Sequence, residues 1–158
     1  MSQILTIQPL TAQAFVSLLR AHAAATRQLN AQLSTDHGLT ISDFEVLLRL
    51  GQAPDRRLRR VDLAGELLLT ASGMTRLLDG LERAGYVERG SCAGDRRVVY
   101  AVLTDDGLHK LREAAESHFA QVDGLFRARF EDAELDELTA LLARLGGNEP
   151  ANCEPPES

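Results

Sequence analysis

The sequence predicts a mainly α fold carrying a small β-hairpin, with long helices at both chain ends. Three observations predict it. Residues 61–103 read as a short helix, a turn, a longer helix and then two β-rich runs around a Gly- and Arg-containing tip. Both chain ends carry apolar stripes at three- and four-residue spacing that are too long for the small central segment to cover. Charge is also unevenly divided. Residues 56–97 hold nine Arg and six acids, a local +3, although the chain carries −6 overall. Helix, turn, helix, hairpin is the order of a winged helix-turn-helix, which presents one helix to a DNA major groove and the hairpin to the flanking backbone or minor groove.

The first long helix is expected over residues 9–35, with Phe15, Leu18, Leu19, His22, Ala25, Leu29 and Leu33 on one face and Gly38 as its stop. Ser42-Asp43-Phe44-Glu45 reads as a capping box with Ser42 at the N-cap. The helix it opens turns Phe44, Leu47, Leu48 and Leu50 inward and ends at Gly51. Pro54-Asp55 forms a turn, and Leu58 a short strand that pairs with the hairpin. A short helix over 61–67 and a turn at Leu68-Leu69 lead to Thr70, the expected N-cap of a helix ending at Gly85. Leu77, Leu78, Leu81 and Ala84 are its expected buried stripe, and Met74, Arg76, Asp79 and Arg83 its outer face. Residues 86–89 and 98–103 are the β runs, with Gly94-Asp95 at the tip. Thr104-Asp105-Asp106 caps a helix running to about Phe130. Asp132 starts a final helix bearing Leu135, Leu138, Leu141, Leu142 and Leu145, stopped by Gly146-Gly147. The expected division is 1–37 with 104–147 as dimerisation helices, 38–103 as the winged helix-turn-helix DNA-binding domain and 148–158 as a disordered tail.

Composition narrows the function. At 44% hydrophobic and 25% charged residues, the chain has enough apolar matter for a core and the charge of a soluble protein. No run approaches the roughly 18 apolar residues of a membrane span, and no secretory signal opens the chain. Cys92 and Cys153 are too few for a disulfide scaffold, so the cytoplasm is the expected compartment. The four histidines, at 22, 37, 109 and 118, show no metal-ligand spacing. No cofactor is expected, and no nucleophile elbow, phosphate loop, metal motif or paired carboxylates point to an enzyme.

At this point the sequence resembles the multiple-antibiotic-resistance regulator (MarR) family. Leu63-Ala64 with Leu67 carries the likeness, as do Thr70-x-Ser72-x-Met74-Thr75-Arg76-Leu77-x-Asp79-x-Leu81-Glu82-x-x-Gly85-Tyr86-Val87-x-Arg89 and Asp95-x-Arg97 followed by Leu103-Thr104-x-x-Gly107. The resemblance covers residues 10–146. It implies a homodimeric transcription regulator, usually a repressor, that binds a palindromic operator in double-stranded DNA and is released by a small aromatic or phenolic ligand or by an oxidant. Thr70, Ser72, Gly73, Thr75 and Arg76 would then face DNA from the first turns of the reading helix. Asp95, Arg96 and Arg97 would do so from the wing, with Asp95 orienting the Arg97 guanidinium. His22, Thr26 and Phe44 fall near where the resemblance puts a ligand pocket. Two departures stand out. Val61 replaces the Ser or Thr that usually caps the short helix, and the first helix lacks the Cys of the oxidant-sensing branch. Cys92, in the expected wing loop beside arginines, remains as a redox alternative. Binding a protein partner through the wing or outer helices, without specific DNA, is the other alternative.

Overall fold

The computed structural model describes residues 9–67, 69–92 and 94–146, which fall into two compact units divided after Phe119. Leu68, expected in a turn, as well as Ala93, Gly147, Cys153 and the rest of residues 148–158, expected as a disordered tail, lie outside the described residues.

Helix α1 (Leu10–His37) ends where expected. Gly38 adopts φ +67°, its N–H donates to the Ser34 carbonyl at 3.1 Å, and the Leu39 N–H reaches back to Leu33 at 3.3 Å. Helix α2 (Ile41–Gln52) has its N-cap two residues before the expected one. Thr40, not Ser42, is the N-cap: its hydroxyl accepts from the Asp43 N–H at 3.1 Å, and the Asp43 carboxylate accepts from the Thr40 N–H at 2.8 Å. Thr40-x-x-Asp43 satisfies both orphan donors reciprocally, so the helix begins early and takes Ser42 into its first turn. Phe44, Val46, Leu47 and Leu50 are buried, while Leu48 is half-buried. Val46 was not expected inside. It is buried because α2 packs against α1 as well as the elements described next.

A 3-10 turn (Pro54–Arg56), with Asp55 and Arg56 both at positive φ, leads into strand β1 (Arg57–Arg59). Helix α3 (Arg60–Glu66) follows at once, without a side-chain N-cap. Helix α4 (Ala71–Arg83) is capped by Thr70, whose hydroxyl accepts from the Gly73 N–H at 3.1 Å. Met74, Leu78 and Leu81 are its buried residues, at the i, i+4, i+7 spacing of a core stripe. The stripe therefore begins one turn before the expected Leu77, which is half-buried. Met74 belongs to the core rather than the outer face, and Ala84 is exposed beyond the helix end. Gly85 at φ +80° reverses the chain into strand β2 (Val87–Cys92).

Strands β2 and β3 (Asp95–Leu103) form the antiparallel hairpin, and β1 adds on the other side of β3, giving the order β1-β3-β2. The pairing Leu58↔Ala101 is the expected short strand. Helix α5 (Asp105–Arg127) is tied to the hairpin by Thr104, whose hydroxyl donates to the Gly85 carbonyl at 2.7 Å and accepts from the Gly107 N–H at 3.0 Å. It ends three residues before the expected Phe130. There the Arg127 guanidinium forks between Asp123 at 2.7 Å and Asp132 at 2.6 Å, joining the last turn of α5 to the start of helix α6 (Asp132–Gly146). The first unit has a single core of Leu33, Leu39, Phe44, Val46, Leu47, Leu50, Leu63, Met74, Leu78, Leu81, Val87, Ala101, Leu103, Leu111 and Ala114. That core fixes α4 and the hairpin from behind and leaves their outer surfaces bare.

Candidate nucleic-acid interface

The two groups of residues expected to meet DNA lie on α4 and on the wing. Thr70, Ser72, Thr75 and Arg76 are exposed on the first turns of α4, and Gly73 is half-buried between them. Their hydrogen-bonding capacity is unequally committed. The Thr70 hydroxyl serves the cap and lies 3.3 Å from the Ser72 hydroxyl. The Thr75 hydroxyl donates to the Ala71 carbonyl at 2.9 Å, which leaves its lone pairs outward. Arg76 makes no ion pair among the described residues, so its five donors are all available. The first-turn N–H groups of α4 add a partial positive charge suited to phosphate.

Asp95, Arg96 and Arg97 begin β3 and are exposed. The expected pairing of Asp95 with the Arg97 guanidinium is absent. Asp95 Oδ1 instead accepts from the Arg97 backbone N–H at 2.9 Å, the Asx-turn habit of an aspartate at a hairpin tip. The acid shapes the tip, and both guanidinium groups have no ion-pair partner among the described residues. Cys92 pairs with Asp95 across the hairpin, half-buried, after a register shift at Ser91/Cys92. Arg89 braces the hairpin to α4, reaching Glu82 at 3.3 Å and Asp79 at 3.6 Å. It is spent on structure, unlike Arg76.

The residues expected near a ligand are dispersed in burial. His22 is exposed on α1, Thr26 is half-buried, and Phe44 is 2% exposed on α2. Phe44 is closed in by two rings of α5: His118 at 4.5 Å between centroids and Phe119 at 6.1 Å, edge-on. Burial lowers the His118 pKa below its ordinary 6.5. A polar cluster that sequence reasoning missed also joins α1 to α5. The Ser117 hydroxyl lies 2.6 Å from His37 Nε2 and accepts from Gln32 Nε2 at 3.2 Å. Its signal was the polar i, i+5 pair Gln32 and His37 at the buried end of an otherwise apolar stripe. Arg60 was missed as well: it counted only toward local charge, yet its Nη2 is buried without a hydrogen-bond partner among the described residues.

Comparison with known proteins agrees with this arrangement. A model described as MarR family matches residues 37–98. The HTH-type transcriptional regulator MhqR of Bacillus subtilis (strain 168) is 31% identical over 135 residues, covering 85% of this chain and 90% of its own. AbsC, a MarR family transcriptional regulator from Streptomyces coelicolor, superposes with a TM-score of 0.81 at 31% identity over 90% of this chain and 96% of its own. Sco3205, a MarR family transcriptional regulator from the same organism whose structure was solved in complex with DNA, gives 0.81 at 27% identity over 96% of each chain.

Proposed function

The chain belongs to the MarR family, and from that membership we propose that it works in the cytoplasm as a homodimeric, sequence-specific DNA-binding repressor that a small aromatic or phenolic ligand releases. The observation that carries the DNA-binding part is the pairing of a bare α4 surface with a bare wing. Arg76, Arg96 and Arg97 are exposed and uncommitted, whereas the nearby Arg89 is held by acids. The likeness to Sco3205, which was solved with DNA, supports the same reading.

In this reading Ser72, Gly73, Thr75 and Arg76 approach base edges and phosphates in the major groove, and Thr70 holds the helix start that aims them. Asp95 shapes the wing tip so that Arg96 and Arg97 reach the backbone or minor groove. A second copy sets two reading helices about one DNA turn apart on a palindrome. Release is a population shift. The ligand, met by His22, Thr26 and Phe44, favours a dimer spacing that does not fit successive grooves. The repressor role and the ligand class rest on the family likeness.

The test is a gel shift with the purified protein and its own upstream intergenic DNA at about 150 mM salt, where nonspecific contacts are weakened. A discrete complex, competed only by the same sequence and protecting a palindrome, is expected. Adding simple phenolic acids should dissolve it. Smearing alone, on any DNA, would favour the reading in which wing and outer helices serve a protein partner.

A further inference from the structure

Between the start of α3 and the tip-side half of β3, Arg59, Arg60, Val61, Arg97, Val98 and Val99 line a pocket of about 250 Å³. Three of these residues are arginines, and among the described residues no acid lines the pocket. Their charges are differently engaged. Arg59 donates from Nε and Nη2 to the two Asp62 oxygens at 2.7 and 2.9 Å, and that ion pair holds it protonated. Arg97 is exposed and has no ion-pair partner among the described residues; only its backbone N–H is engaged, by Asp95. Arg60 is the anomaly. Its Nη2 is buried and has no hydrogen-bond partner among the described residues. Folded proteins rarely leave a buried donor unmatched, least of all a charged one. Here the orphaned donor belongs to a residue that lines a cavity with a second unpaired guanidinium.

We propose that this pocket is an oxyanion site, in which Arg60 and Arg97 grip one phosphate or carboxylate group by charge-assisted hydrogen bonds while the Asp62-locked Arg59 holds the wall in place. Guanidinium forks match the planar spacing of such oxygens. The volume suits a single small anionic group rather than a drug-sized molecule. Two sources supply that chemistry: a backbone phosphate of bound DNA, or a free small anion. The site goes beyond the DNA-reading assignment, because its anion chemistry holds whether or not α4 reads bases.

The experiment titrates the isotope-labelled full chain with inorganic phosphate against chloride at matched ionic strength, following the Arg60 Nε–H and the Val98 and Val99 amides by NMR. Saturable phosphate-specific shifts are expected in the wild type. Arg60→Gln should abolish them and Arg97→Gln should weaken binding by about fivefold or more, the loss of one charge-assisted contact. Non-saturating shifts, shifts matched by chloride, or wild-type affinity in either folded variant would overturn the site. Arg97 is exposed, so its variant keeps the test decisive if Arg60→Gln does not fold. A DNA duplex then identifies the source. If a DNA phosphate fills the site, free phosphate competes with DNA, and Arg60→Gln lowers the salt slope by about one. If a free anion fills it, phosphate binds the DNA complex as well and the slope is unchanged. Failure of all DNA binding would defeat the regulator reading and leave the phosphate titration standing.

Discussion

Met74 and Arg76 stand two residues apart on one helix and do opposite work. Met74 is 2% exposed in the core, whereas Arg76 is exposed and uncommitted. Met74→Ala should cost about 2–5 kcal/mol of stability, the transfer term plus an unfilled cavity. Arg76→Ala should change stability by no more than about 0.5 kcal/mol and weaken specific DNA binding by about 1–3 kcal/mol. Urea unfolding and operator titration on the same two variants check both. Wild-type operator affinity for Arg76→Ala would remove that residue from the interface. The outer-face position of Arg76 was legible in the sequence, because helical spacing leaves it off the apolar stripe. Met74 was not. With apolar Leu77 and Leu78 adjacent, the stripe has two admissible phases, and only the packing of α4 against α2 and α3 selects the one that starts at Met74. Asp95 shows the same limit: the family likeness set it to orient the Arg97 guanidinium, but only backbone geometry decides whether it meets a guanidinium or an N–H.

Among the elements, those whose ends carry their own chemistry were readable. Gly38 stops α1, Thr70 starts α4, and the hairpin with its third strand at Leu58 follows from β-rich runs around turn residues. The start of α2 was misplaced because Thr40-x-x-Asp43 and Ser42-x-x-Glu45 are both capping boxes, overlapping by two residues. The end of α5 was misplaced because a forked Arg127 terminates it, not a Gly or Pro. Gly107 shows how tightly α5 joins the hairpin. A Cβ there would collide with the Tyr86 carbonyl oxygen and the Leu103 side chain. Alanine favours a helix over glycine by about 1 kcal/mol, yet at Gly107 the collision with rigid backbone outweighs it. Gly107→Ala should destabilise by about 1–3 kcal/mol. Gly80→Ala, with nothing within 4 Å of its added Cβ on exposed α4, should stabilise by about 0.5–1 kcal/mol. Thermal unfolding of the two variants should move in opposite directions. A matching shift of both would mean that propensity alone, not the α5–hairpin contact, sets the sign.

For the whole molecule, two properties emerge that no single element carries. The first is apolar surface left over after folding. In the first unit α1 exposes Leu10, Phe15, Leu18 and Leu19, and in the second α6 exposes Leu141, Leu142 and Leu145. Large apolar side chains left bare on a helix in this way mark an interface. The protein should run at twice its 17.2 kDa chain mass, with a midpoint of thermal unfolding that rises with concentration. A monomer mass at micromolar concentration would count against the dimer. The second property is a pH dependence set by His118, buried between Phe44 and Phe119 with its pKa lowered by desolvation. Above its ordinary value of 6.5, His118 is neutral in both folded and unfolded chains and contributes no slope. Below it, the unfolded chain binds the proton first, so stability falls with falling pH until the folded pKa is passed. Stability should therefore decline as the pH falls below 6.5. The decline should be shallower in His118→Phe, which keeps a ring against Phe44 and removes the proton site. Urea midpoints across that range measure it, and equal slopes in the two proteins would assign the acid sensitivity to other groups.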